Sequence, residues 1–204
     1  VDSKSVQSGI TGGIAFNTDG TKMFVANVAN DDVDEYTLST GFDVSTASYD
    51  SNFSVASQDG GPQGIAFNTD GTKMFIGGKD NGKVFEYTLS TGFDVSTASF
   101  VDGFSISSQE THISDLAFST DGTKMFIVGT NSQSVFEYNL STGFDVSTAS
   151  YVDGYSVSSQ ETLPTGLEFS ADGKRMFITG NNGDDVTEYK LTTAFDVSTA
   201  SHVG

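Results

Sequence analysis

Two histidines, no cysteine, and 27 acidic residues against nine basic ones supply the reactive side chains of this 204-residue sequence. Without cysteine there is no thiol nucleophile, no zinc–thiolate site and no disulfide framework, which leaves the redox compartment open. No nucleophile elbow, glycine-rich phosphate loop or paired-histidine metal motif is present. A pair of carboxylates for acid–base work would be assembled only by the fold, because partners on separate strands leave no spacing signature. The net charge of −18 creates a field that repels phosphates and anionic lipid headgroups, so nucleic acid and bare membrane are poor partners.

The elements that must position these groups are written in a repeat. "GIAFNTDGTKMF" begins at Gly13 and again at Gly64, and it returns as "DLAFSTDGTKMF" from Asp115 and "GLEFSADGKRMF" from Gly166. Its first Phe falls at Phe16, Phe67, Phe118 and Phe169, so 67 − 16, 118 − 67 and 169 − 118 are each 51, and 4 × 51 = 204. A fixed period of this size marks stacked or radial modules that bury their faces on one another, here one domain over residues 1–204. Within a unit, "GIAF" and "TKMFVAN" flank an Asp-Gly turn and predict a hairpin. "VFEYTLS" alternates as a third strand, and "TASFVDGFSISS" reads as a long fourth with a bulge at Asp102–Gly103. No segment has a helical period. Four antiparallel strands per unit predict an all-β propeller with four 51-residue blades in the chain.

"DGTKMF" followed by a loop and V-x-E-Y-x-L resembles the blades of YVTN-type bacterial surface propellers and of lactonase-like propellers. "EYTLSTGFDVSTASY" is similar to repeats of phage tail proteins and large bacterial surface proteins. The resemblance spans the chain and implies a blade type, with lactone hydrolysis as one activity that such blades support.

Most repeated residues read as architecture. Met23, Met74, Met125 and Met176 share one column, and the Phe16, Phe24, Phe42 and Tyr36 columns are filled in every unit, as blade-to-blade packing requires. His202 replaces the aromatic of the Tyr49, Phe100 and Tyr151 column and reads as a packing substitute. Lys22, Lys73, Lys124 and Arg175 stand opposite Glu35, Glu86, Glu137 and Glu188 as cross-strand pairs, which when exposed contribute only about 0–1 kcal/mol each. Asp19 and Asp43, with their equivalents, sit in turns.

Units differ in two loops. The connection between second and third strands and the connection between blades vary from copy to copy and emerge on one face, where loops on a rigid scaffold carry function. Asp59, Gln63, Lys79, Asp80, Glu110, His112, Asn131, Gln133, Asn181 and Asp184 are the candidate ligand-binding residues of that face. It lacks aromatic residues. Its carboxylates and Asn could hold Ca²⁺ through oxygen, although "NNGDD" from Asn181 matches no complete calcium loop and a solvated turn is the simpler reading. No other cofactor is expected. The motifs thus favour a non-catalytic binding or display module with a polar ligand such as a glycan, or a protein partner, on that face. Lactonase-like hydrolysis and a purely structural spacer are the alternatives.

No run reaches the roughly 18–20 apolar residues of a membrane helix and no signal segment is visible, so the chain reads as soluble. It opens on Val1 rather than Met, as after removal of an upstream segment. The function class places it outside the cell, on a cell surface or on a virion. The period is cut inside the fourth strand, so "VDSKSV" could complete the last blade. Supplied within one chain it would close a monomeric four-bladed ring, which small inner-strand residues favour; exchanged between two chains it would close an eight-bladed homodimer.

Overall fold

A computed structural model describes residues 3–7, 9–183 and 185–204. The first blade comprises β1 (Thr11–Phe16), β2 (Lys22–Asn27), β3 (Asp32–Leu38) and β4 (Ala47–Ser54). The second comprises β5 (Pro62–Phe67), β6 (Lys73–Gly78), β7 (Lys83–Leu89) and β8 (Ala98–Ser105). The third comprises β9 (Ile113–Phe118), β10 (Lys124–Gly129), β11 (Ser134–Leu140) and β12 (Ala149–Ser156). The fourth comprises β13 (Pro164–Phe169), β14 (Arg175–Gly180), β15 (Val186–Leu191) and the short β16 (Ala200–His202). Each set is one antiparallel four-stranded sheet in sequence order, the predicted propeller blade. Among the described residues the helices are three-residue 3₁₀ turns, and none is long and apolar enough to cross a membrane.

The turns follow from residue chemistry. Asp19 Oδ1 accepts from the Thr21 amide at 3.0 Å and its hydroxyl at 2.6 Å, closing the β1–β2 turn around Gly20, whose φ is +71°. Any Cβ at Gly20 would enter the Phe42 ring, so the turn glycine and the aromatic are chosen together. Asp43 Oδ1 accepts from the Ser45 amide at 3.0 Å and caps the following 3₁₀ turn. The fourth-strand bulge lies one residue earlier than predicted: Glu86 pairs with Asp102 and Tyr87 with Phe100, so Val101 is the extra residue.

Blades are sandwiched by aromatic triads. Phe24 stands 4.5 Å from Phe67 and 6.2 Å from Phe93 of the next blade, and the same triad recurs as Phe75–Phe118–Phe144 and Phe126–Phe169–Phe195. The His202 ring lies 5.8 Å from Tyr189, as Phe100 does from Tyr87, which bears out its packing role. The Lys–Glu pairs differ from their expected exposed state. Glu35, Glu86 and Glu137 are buried, because the neighbouring blade covers them. Each gives its second carboxylate oxygen to the next blade, accepting from the amides of Val95 at 2.8 Å, Val146 at 3.0 Å and Val197 at 3.0 Å.

The first strands of the blades lie side by side along a central channel, β1 beside β5, β5 beside β9 and β9 beside β13. β13 and β1 pack less closely than these pairs: Gly12, Gly13 and Ile14 face Gly166, Phe177, Thr179 and Val186 of the fourth blade across a cavity. The segment Val1–Val6, expected to complete the last blade, lies partly outside the described residues. Residues 3–7 join no strand, and Gln7 instead donates its amide to Tyr36 Oη at 2.8 Å. The β15–β16 ladder covers only Tyr189↔His202, Lys190↔Ser201 and Leu191↔Ala200.

Candidate active site

Along the channel the four inner strands repeat small residues with two exceptions. The column Gly13, Gly64, Asp115, Gly166 contains one carboxylate, and the column Ala15, Ala66, Ala117, Glu168 contains another. A Cβ at Gly64 would stand 2.9 Å from the Asp115 Cα, so the strands leave no room for a side chain there. Asp115 instead spans the gap to the fourth blade. Its Oδ2 accepts from the Leu167 amide on β13 at 2.9 Å, while Oδ1 accepts from the Leu116 amide at 2.8 Å. Burial, opposed by those two amides and reinforced by the charge of Glu168, pushes the Asp115 carboxyl up to about 7. Desolvation in the channel also raises Glu168 above the usual carboxylate range.

Both acids line a cavity of about 460 Å³ that includes Thr165, Thr179, Ile14 and Phe177. Toward the variable loops it adjoins a cavity of about 350 Å³ lined by Gln63, Ser114, Thr165 and Asn181, and toward the other end one of about 330 Å³. Ser114 is buried and its hydroxyl has no partner among the described residues. None of the residues lining these three cavities is Lys, Arg or His. A carboxyl with a pKa near neutrality and a second acid beside it suit general acid–base chemistry on an uncharged, hydroxylated molecule.

Of the residues expected to bind a ligand, Gln63 and Asn181 reach the channel mouth. Asp59 and Glu110 are buried and hold loops together. Asp59 Oδ1 accepts from the Gly61 amide at 2.8 Å, and Glu110 accepts from the amides of His112 at 2.8 Å and Ser132 at 2.9 Å. Lys79, Asp80 and Asn131 are exposed on the loop tips, while His112 and Gln133 are partly buried. Gln133 occupies the left-handed region at φ 54°. Asp184 lies outside the described residues. No three His, Asp or Glu converge as metal ligands among the described residues. Asp115 and Glu168 escape a comparison confined to loops, although aligning the four copies of the inner strand exposes both as breaks in the template.

No family model and no curated protein matches the sequence. Solved structures do. A candidate 6-phosphogluconolactonase from Bacteroides fragilis superposes with a TM-score of 0.65 at 14% identity, over 95% of this chain and 52% of its own. The periplasmic gluconolactonase of Pseudomonas aeruginosa gives 0.59 at 15% identity, over 96% and 53%. The β-propeller domain of Cps50 (Swd1) from Myceliophteria thermophila gives 0.58 at 11%, over 90% and 54%. The chain thus has the propeller fold and spans about half the length of these neighbours. The lactonase-like half of the blade resemblance finds its counterpart here; the phage-tail and surface-protein half finds none among these three. The expectation of a non-catalytic binding or display module is corrected by these neighbours. Two of the three carry lactonase names, the alternative that the sequence left beside it. The polar departures in the loops tie those loops to their blades, whereas Asp115 and Glu168 on the inner strands face the channel cavity.

The raised Asp115 carboxyl makes stability depend on pH. With a folded-state pKa near 7 against an ordinary 3.8, the folded chain holds the proton more tightly than the unfolded chain. The resulting stabilisation is complete below about pH 4 and is lost as pH rises through 7. At about 1.4 kcal/mol per pKa unit, wild type should lose up to about 4 kcal/mol relative to Asp115→Asn between pH 4 and 8. Urea denaturation of both proteins across that range measures it, and parallel pH profiles would assign the slope to other groups.

Proposed function

We propose that the chain carries the site of a hydrolase acting on uncharged lactones, with Asp115 as general base. The observation that carries this reading is the single inner-strand aspartate whose carboxyl titrates near neutrality in a cavity of substrate size. Ionised Asp115 takes a proton from a water whose oxygen attacks the lactone carbonyl carbon. As the ring C–O bond breaks, the leaving alkoxide takes the proton that Asp115 has just gained, and the open hydroxy acid departs. Thr165 and Thr179 are placed to hydrogen-bond hydroxyls of the bound ring. The names of the neighbours support the reaction class. The substrate is drawn differently from a phosphorylated lactone, because a channel without a cationic side chain in a chain of charge −18 repels phosphate.

Hydrolysis of glucono-δ-lactone and its 6-phosphate, followed against the spontaneous rate, tests the proposal. The neutral lactone is the expected substrate, with activity rising through about pH 7. Asp115→Asn should lower kcat/KM by about 10²–10⁴, the usual contribution of a general base. No turnover on either lactone, or turnover indifferent to Asp115→Asn, overturns the assignment.

A further inference from the structure

Each inner strand breaks its ladder with the second strand of its blade at the same place. Pro62 pairs with Gly78 and Gly64 with Gly77, so Gln63 has no partner across the hairpin. Ile113 and Asp115 pair with Gly129 and Val128 and leave out Ser114, while Pro164 and Gly166 pair with Gly180 and Thr179 and leave out Thr165. In the first blade Gly12 and Gly13 are passed over between Thr11 and Ile14. A β-bulge of this kind turns a side chain out of the ladder, and bulges recur beside active sites. The four equivalent residues, Gly12, Gln63, Ser114 and Thr165, all line the cavity of about 350 Å³ at the channel mouth. They form one layer, a single residue along the strand from Asp115 and its column.

Ser114 shows that this layer is not arranged for the fold. It is only 4% exposed, and its hydroxyl has no partner among the described residues. Ser119, similarly buried, donates its hydroxyl to Asp121 Oδ1 at 2.7 Å and accepts from the Lys124 amide at 3.0 Å. A buried hydroxyl left unpaired lowers stability, and one that lines a cavity is satisfied by what occupies that cavity.

The chemistry of the occupant follows from the lining. Gln63, Ser114, Thr165 and Asn181 offer carboxamides and hydroxyls, Ile10 and Val28 add an apolar wall, and no lining residue carries a charge. Hydroxyls and carboxamides both donate and accept, as the hydroxyls of a sugar do, whereas a phosphate, carboxylate or ammonium finds no counter-charge. The mouth is continuous with the cavity that holds Asp115, since Gly12, Gly13 and Thr165 line both. Each cavity alone falls in the range of about 300–1,000 Å³ usual for a small-molecule site, so a lactone of one sugar ring beside Asp115 leaves the mouth unfilled.

We infer that the mouth is a subsite for a second, uncharged sugar unit, so that the substrate is the lactone of a disaccharide. Its lactone ring lies beside Asp115, Thr165 stands at the junction, and the glycosyl unit lies among Gln63, Ser114 and Asn181. The inference rests on the hydrolytic reading and adds the substrate class to it.

Initial rates on glucono-, cellobiono- and maltobiono-δ-lactone, corrected for spontaneous opening, are the test. For at least one disaccharide lactone kcat/KM is expected to exceed that for glucono-δ-lactone by about 10-fold or more, the worth of one hydrogen bond or two. Gln63→Ala and Ser114→Ala should each move that ratio toward unity. Ser114→Ala should do so without lowering the urea midpoint, because it removes a hydroxyl that the fold leaves unpaired. Glucono-δ-lactone turned over as well as both disaccharide lactones, or a preference unmoved by both variants, overturns the inference and leaves the hydrolytic reading standing. If no lactone is turned over, the hydrolytic reading fails and calorimetry decides the subsite: binding of cellobiose or maltose that exceeds that of glucose and falls in Gln63→Ala upholds it, and no such binding overturns it as well.

Discussion

Glu137→Ala is expected to destabilise the fold by about 3–5 kcal/mol, the range for removing one partner of a buried ion pair. Glu137 is only 2% exposed and both of its oxygens are engaged, Oε1 by Lys124 Nζ at 2.5 Å and Oε2 by the Val197 amide at 3.0 Å. Lys124 in turn donates to the Phe195 carbonyl of the fourth blade at 2.7 Å. Truncation leaves an amide without an acceptor and an ammonium without its counter-ion at the seam between two blades. Glu137→Gln keeps the shape and one acceptor and should cost less, separating charge from packing. Guanidinium denaturation of the three proteins measures the differences, and a loss below about 1 kcal/mol for Glu137→Ala would return the pair to the class of surface salt bridges.

The same pair shows how far the sequence can be read. Its residues and their cross-strand relation are legible, because a 51-residue period and a strand alternation place Lys124 opposite Glu137 within one sheet. Its burial is not, because a single blade has two faces and alternation tells only that one face differs from the other. In a propeller both faces are covered, so a charge on either is taken from water and must be satisfied by the neighbouring blade. The fold class, strand order and turn chemistry are local consequences of "NTDG", "FDVS" and the aromatic columns, and the structure reproduces them.

The channel acids are a different case. Asp115 and Glu168 are visible as breaks in columns of glycine and alanine, yet their convergence depends on β9 and β13 lying side by side. Two residues separated by an entire blade share no motif. The variable loops differ between copies for another reason: Asp59 and Glu110 tie each loop to its blade. Variation among copies therefore marked both a structural device and a site, and only burial and hydrogen bonding separate the two.

The second large effect is Phe126→Ala, expected to remove about 3–5 kcal/mol, as for deletion of a buried aromatic ring. Phe126 is fully buried, 4.4 Å from Phe169 and 6.1 Å from Phe195, in the cluster that joins the third blade to Met176, Tyr189 and Val197 of the fourth. A cavity at that seam cannot be filled without moving a whole sheet, because the inner strands on either side are already in contact. In a repeat architecture the loss falls on the interface between those two blades, so the fourth blade should open at lower denaturant than the first two, and hydrogen exchange of β14 and β15 should accelerate before that of β6 and β7. Phe177→Ala, the equivalent change on the last blade, supplies the internal contrast: Phe177 lines the channel cavity with Ile14 and has no ring of a following blade against it, so its loss should be well below that of Phe126→Ala. Equal losses in the two variants would show that packing between blades does not set the cost.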